Sequence, residues 1–234
     1  MLMIYSKNQV FKEKFFRLDY NENFYEYILL RSCRMPGFEE IGEKEKKEKK
    51  LTDKEEIQRI ENSRIKFKIK EYALCNDFQY FYTQTLNSNY DRYDLEEFKK
   101  IIQKKFKAYK RKNINFKYLI IFEKHKNGAY HLHGLVSGLG LDVYTNSNNY
   151  LSLAFFEDLG FNSLSKVKDN IKVAHYITKY ITKDFEKTAS GYSYFHSQNL
   201  KTAQKTELNF NDYKNDLNLV YQNEFIKKYK IEEK

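Results

Sequence analysis

Two groups of residues in this chain have types and spacings suited to chemistry. The first is Tyr130-His131-Leu132-His133-Gly134, with Glu123 just upstream. On a strand, side chains alternate faces, so His131 and His133 point one way and Tyr130 and Leu132 the other. Two of the five histidines then share one side of one strand. Whether Glu123 joins them depends on the turn at Lys126-Asn127-Gly128. A two-residue Asn127-Gly128 loop would set Glu123 opposite Leu132, facing away. A three-residue loop, with a type I turn and a left-handed Gly128 in a bulge, sets Glu123 opposite His131. Only the longer loop keeps Tyr118, Ile120, Phe122, Tyr130, Leu132 and Val136 together on a core face, so it is the expected one. Two imidazoles and a carboxylate leave open positions on a divalent ion, which suits a phosphate oxygen. The plainer alternative is a pair of histidines facing solvent, and the three ligand groups on one face weigh against it. A histidine-triad hydrolase would need a third alternating His, and residue 135 is Leu. The absence of a nearby Cys argues against a structural zinc site.

The second group is Val173–Asp184, which holds a tandem Tyr-Ile-Thr-Lys. On a helix, Tyr176 and Tyr180 stack one turn apart and Lys183 follows one turn later. Ala174, Ile177, Ile181 and Phe185 form the core stripe, well away from the tyrosines. Among 21 tyrosines a pair four apart is unremarkable by itself. Its place off the core stripe and beside lysines sets it apart. A phenol of pKa about 10 needs nearby positive charge to act as a nucleophile. Lysines one turn away could supply it and neutralise a phosphate in the transition state, Lys183 first and Lys179 second.

The elements that must position these groups read as follows. Ile57, Ile60, Ile65, Ile69 and Leu74 recur at helical spacing from Lys54 to about Leu74. Arg64 and Lys66 lie among them and could touch a phosphate backbone. Asp77–Leu86 is a strand candidate. Asp94 caps a helix running to about Lys112, with Leu95, Phe98, Ile101, Ile102 and Phe106 on one side. Tyr118–Phe122 and Tyr130–Val136 form a β-hairpin. Phe161–Val167 reads as a short strand, Asn170 to about Glu186 as a helix, and residues 211–230 as a C-terminal helix with Leu217, Val220, Tyr221 and Ile226 facing inward. Residues 1–37 show no clean period, and 141–160 are ambiguous. Together these predict an α+β fold with an antiparallel central sheet, of ferredoxin or RRM-like type, and helices on one face. The expected organisation is an N-terminal extension over 1–53, a catalytic domain over 54–190, and a helical C-terminal extension over 191–234 packed on that domain.

Composition narrows the function classes. At 234 residues with 41% hydrophobic and 17% aromatic residues, the chain can bury a core. A formal charge of +10 favours polyanionic partners, although lysine bias alone would also produce it. Cys33 and Cys75, without metal-like spacing, argue for a reducing compartment. No signal-peptide core and no membrane-length apolar run is present, so a cytoplasmic protein with no membrane partner is expected. The P-loop signature is absent.

Taken in order, the two groups resemble the HUH endonuclease superfamily, and more narrowly the replication initiators of small rolling-circle plasmids and circular single-stranded DNA phages. His131-Leu132-His133 matches that family's histidine motif and Tyr176 to Lys183 its tyrosine helix. Phe81–Leu86 resembles its first motif, an apolar strand of the type Phe-x-Thr-Leu-Thr, with Gln84 in place of an apolar residue. The likeness spans roughly Ile57 to Asp184. It implies a divalent metal, Mg²⁺ or Mn²⁺, held by His131, His133 and Glu123. It implies Tyr180 as primary and Tyr176 as second nucleophile, with Thr83 and Thr85 near the DNA. The partners it implies are a single-stranded DNA origin or hairpin in a bacterial cell and, with no P-loop here, a host helicase and polymerase. A transposase or mobilisation relaxase would share this chemistry. Rivals of other kinds are a non-catalytic nucleic-acid-binding module, stacking bases on Phe81, Tyr82 and Tyr130, and a metal-dependent hydrolase that uses water.

Overall fold

The computed structural model describes residues 12–32, 54–181, 187–188, 191–192, 194–222 and 226–231. It divides into a unit built on residues 52–202 and another built from the two end segments, 1–51 and 203–234.

In chain order the end-segment unit comes first, with β1 (Lys12–Asn21) and β2 (Phe24–Ser32). The unit over 52–202 then opens with helix α1 (Lys54–Cys75), strand β3 (Tyr80–Gln84) and helix α2 (Leu95–Lys112). The hairpin β4 (Lys117–Lys124) and β5 (Tyr130–Ser137) comes next. After it run β6 (Val143–Thr145), β7 (Leu151–Leu153), β8 (Asn162–Lys166) and helix α3 (Asn170–Ile177). The short strands β9 (Lys187–Thr188), β10 (Gly191–Tyr192) and β11 (Tyr194–His196) complete it. Seven of these strands make one antiparallel sheet in the order β11-β4-β5-β3-β8-β7-β6. The α+β class with a central antiparallel sheet is the one the sequence predicts. Among the described residues no helix is long and apolar enough to cross a membrane.

Helix α2 forms where its cap and its stripe agree. The Asp94 carboxylate accepts from the backbone N–H groups of Glu96 and Glu97 at 2.8 and 3.1 Å. Acidic residues in the first turn and Lys110, Arg111 and Lys112 in the last complement the helix dipole. Its buried Leu95, Phe98, Ile102, Phe106 and Tyr109 pack against Tyr118, Ile120 and Phe122 of β4 and Tyr130, Leu132 and Val136 of β5. Phe106 is the hub, with its ring 5.0 Å from Tyr118, 5.1 Å from Phe156 and 5.5 Å from Phe116.

The other sheet face is also covered, where a single covered face was expected. Leu119 and Ile121 of β4 and Leu135 of β5 are buried on it. Helix α3 lies over this face, since Phe81 of β3 meets Tyr176 edge to face, and α1 packs along α3. In α1, Ile65, Ile69, Ala73 and Leu74 are buried while Arg64 and Lys66 face solvent. The reason is compositional: β4 is apolar at consecutive positions, so each face needs its own cover.

The β4–β5 turn takes the three-residue form. His125 and Ala129 close it through the His125 N–H to the Ala129 carbonyl at 2.8 Å, and Gly128 N–H returns to the His125 carbonyl at 2.8 Å. Gly128 has φ +85°, the left-handed conformation the bulge requires. In β5, Gly134 lies where a Cβ would come within 2.8 Å of the Leu119 carbonyl oxygen. Glycine there lets β4 and β5 approach beneath the histidines. Gln84, polar where the resembled motif is apolar, is fully buried and satisfied. It accepts from the Tyr82 hydroxyl at 2.5 Å and donates to the carbonyls of Thr85 and Phe161 at 3.2 and 3.1 Å.

The end-segment unit corrects the reading of both ends. Strands β1 and β2 form a hairpin where no period was legible. The C-terminal segment supplies β12 (Gln204–Leu208), a single helical turn α4 (Phe210–Tyr213), β13 (Leu217–Gln222) and β14 (Ile226–Ile231). A helix over 211–230 was expected, yet only its first residues are helical, and Val220 and Tyr221 are about half exposed rather than inward. The sheet order is β12-β1-β2-β14-β13, so the two expected extensions complete each other. Phe15, Tyr27, Leu29 and Tyr229 form its core with Phe210 and Tyr213 against them. Pairing with β2 overrides the weak helical preference of the C-terminal segment.

Replacing Phe106 by Ala should cost about 3–5 kcal/mol. Urea unfolding monitored by circular dichroism checks this, and a loss below about 1 kcal/mol would contradict the central place given to this ring.

Candidate active site

The site grows from one face of β3, β4 and β5. Register sets Glu123 opposite His131, and His133 between Ile121 and Thr83. Nε2 of His133 lies 3.0 Å from the Glu123 carboxylate. Behind the rings, Thr83 Oγ1 is 3.4 Å from His133 Nδ1 and Thr85 Oγ1 is 3.0 Å from His131 Nδ1. The two threonines, expected near DNA, thus fix the orientation of both imidazoles, as outer-shell partners of metal-ligating histidines do.

A third histidine joins them. His125 Nε2 is 3.5 Å from the same Glu123 oxygen, and its ring stacks on His131 at 3.7 Å. Ligand atoms of Glu123, His125 and His133 all lie within 4.8 Å of one another, so they form the tightest potential metal set among the described residues. His131, expected as a ligand, is instead held against His125 and Thr85. His125 was missed in the sequence although a signal was there: Glu123-Lys124-His125 repeats the spacing that aligns His131 with His133. Strand alternation carries Glu123 and His125 to one side.

Burial, with the neighbouring His131 and His125, lowers the pKa of His133 to about 4. Burial and the charges of His125 and Arg92 lower that of His131. Both rings are therefore neutral near pH 7, the form in which an imidazole ligates metal. Two neutral imidazole donors and a carboxylate within reach of each other fit a divalent cation, and a borderline ion such as Mn²⁺ better than an oxygen-seeking one.

The tyrosines arrive from α3. Asp169 caps the helix by accepting from Ile171 and Lys172 N–H at 2.9 Å. Ala174, Ile177 and Ile181 are buried as the stripe predicts. The helix expected to reach Glu186 is shorter: it ends at Ile177 and tightens into a 3₁₀ turn over Thr178–Tyr180. There the Thr178 hydroxyl bonds back to the His175 carbonyl at 2.7 Å, competing with helix continuation. Tyr180 stacks on His133, centroids 4.1 Å apart and planes 16° apart. Its hydroxyl donates to the Tyr176 hydroxyl at 3.0 Å. Burial, the hydrogen bond to Tyr176 and the Glu123 charge hold the Tyr180 phenol well above its ordinary pKa. Phe81 closes the cluster, with its centroid 5.9 Å from His133 and 5.4 Å from Tyr176.

Of the predicted cations, Lys179 Nζ sits 5.2 Å from the Tyr176 ring centroid. Lys183 lies outside the described residues. Arg64 and Lys66 are exposed on α1, and among the described residues no contact ties them to this cluster.

With this geometry in hand, comparison with known proteins adds one match. Residues 79–185 match a family model of replication-associated proteins of the ORF2 type. No curated protein and no solved structure gives a match. The matched stretch holds every residue of the cluster, from Phe81 to Tyr180, and is consistent with a replication initiator.

Two measurements follow. By calorimetric titration with Mn²⁺, Thr85→Val should lower affinity by roughly 10–100-fold, and Glu123→Gln by more. Wild-type affinity in Glu123→Gln would remove the carboxylate from the ligand set. In chelator, His133 makes stability pH-dependent: its pKa is about 4 folded and about 6.5 unfolded. Above pH about 6.5 neither state binds the proton and there is no effect; as pH falls towards 4 the unfolded state gains it first, and stability drops by roughly 3 kcal/mol. Chemical unfolding across that range should show the decline in wild type and a shallower one in His133→Gln.

Proposed function

We propose that this chain is a site-specific nicking and joining endonuclease of HUH type that acts on single-stranded DNA to start rolling-circle replication. The observation that carries the reading is the Tyr180 ring resting on His133, within hydrogen-bonding reach of a second tyrosine. The replication-associated family match over the same residues supports it.

In this chemistry the Tyr180 hydroxyl oxygen attacks the scissile phosphorus. A bond from Tyr180 to phosphorus forms, the bond to the 3′ oxygen breaks, and that oxygen gains a proton as the phenol loses one. The products are a 5′-phosphotyrosine and a free 3′-OH, with no ATP consumed. A divalent cation, Mg²⁺ or Mn²⁺, held by Glu123 and His133 with His125 or His131, would neutralise charge on the scissile phosphate. Thr83 and Thr85 keep the imidazoles oriented. Tyr180, stacked on His133, takes the first attack; Tyr176, one hydrogen bond away, takes the regenerated junction that ends a round. The raised pKa of Tyr180 means its proton leaves only as the attack proceeds. Lys179, beside Tyr176, and Lys183 neutralise the phosphate as charge develops.

Incubation with Mn²⁺ and single-stranded DNA of its own replicon, read on a denaturing gel, tests the reading. Wild type should give a protein–DNA adduct, mapped to Tyr180 by mass spectrometry. Tyr180→Phe should reduce first cleavage by about a thousandfold or more, while Tyr176→Phe keeps it. Cleavage without an adduct would indicate a water nucleophile, and binding without cleavage a non-catalytic module. If the Tyr176→Phe/Tyr180→Phe double variant cleaves like wild type, the proposal fails.

A further inference from the structure

Next to the tyrosine pair runs a groove of about 560 Å³, bounded by Phe81, by the segment Lys166–Val173 and by His175, Tyr176 and Lys179. Its size is that of sites that take small molecules or single nucleotides. Two features give it a chemistry. Its apolar surface is unusually open: Ile171 and Tyr176 are 41% and 44% exposed, although both are large hydrophobic side chains. Four lysines, Lys166, Lys168, Lys172 and Lys179, border it against a single carboxylate, Asp169. That carboxylate is already engaged by the N–H groups of Ile171 and Lys172, so little of it remains to offset the lysines. Phe81 belongs both to the groove and to the ring cluster at His133, so the groove opens directly onto the candidate nucleophiles.

A basic rim over aromatic and aliphatic walls is the pairing that binds unpaired bases: the rim tracks phosphates and the walls take a base face. We infer that this groove between β8 and α3 seats the nucleotide that flanks the cleaved bond of single-stranded DNA, with a base against Ile171 and Tyr176 and its phosphates at Lys166 and Lys172. The inference deepens the proposed nickase function and rests on it for the position of the bond, but the groove's affinity for a single strand stands on its own geometry.

The test is fluorescence anisotropy with the full chain, in chelator, against a labelled oligo(dT) of about 15 nucleotides. The variant Lys166→Ala/Lys172→Ala is compared with Lys104→Ala/Lys107→Ala, which removes the same charge from the exposed side of α2. At about 0.7 of salt slope per phosphate, the groove variant should lower the slope by about 1.4 and weaken binding roughly 25-fold at about 0.1 M salt. The α2 variant should change affinity by less than about threefold. Ile171→Asp, which adds a carboxylate to the wall, should weaken binding at least as much as one lysine loss. Equal losses in the two double variants, or none in the groove variant, overturn the inference. The adduct assay on wild type is independent of these results. A groove failure with adduct intact leaves the nickase reading standing, and weakened groove variants without any adduct leave the groove as a binding site alone.

Discussion

Between His125 and Ala129 the backbone turns through three residues, and the left-handed φ of +85° at Gly128 is what allows it. This turn settles the register of β4 on β5, and with it the face that Glu123 takes. One residue fewer would rotate the carboxylate into the aromatic packing under α2 and leave the imidazoles without an anionic partner. Side-chain period on a strand is two, so such a slip exchanges a whole face and not one contact. Pairing of β5 with both β4 and β3 holds the choice in place, with Gly134 giving the close approach.

The same sheet serves two opposed needs. On one side, rings around Phe106 exclude water and fix the strands. On the other, partial burial strips water from His133 and keeps it neutral, while hydroxyls of Thr83 and Thr85 orient the rings. The apolar residues Leu119, Ile121 and Leu135 extend that second face under α1 and α3, which is how the tyrosines come to lie over a histidine. Desolvation thereby prepares the ligands and raises the phenol together. A neutral imidazole and a reluctant phenol are the resting state that added positive charge would convert.

Much of this was legible in the sequence. The cap at Asp94, the hairpin, the bulged loop and the core stripe of α3 all arise from short-range rules, and each recurs in the structure. What escaped had physical reasons. His125 lies just past the paired strand, so a search confined to His-x-His passes over it. The end of α3 turns on one back-bonding hydroxyl, Thr178, which propensity does not register. In β1 and β2 adjacent residues are buried, Phe15 beside Phe16 and Ile28 beside Leu29, so the alternation that marks a strand is absent. The C-terminal strands depend on a partner far away in the chain, and no local window contains that information.

That partnership has a consequence for how the protein is made. Strand β1 is joined to β12 by, among other bonds, the Lys14–Glu207 ion pair, across 193 residues. The unit bearing histidines and tyrosines is continuous from 52 to 202 and can fold as it leaves the ribosome. The five-stranded sheet cannot close until its last strands emerge, so β1 and β2 must wait, with their aromatic faces unpaired, through almost the whole of synthesis. Closing so long a loop adds little to the equilibrium cost, because that cost rises only with the logarithm of length. The burden is kinetic: an unfinished sheet edge exposed during translation is a target for chaperones or for a neighbouring chain.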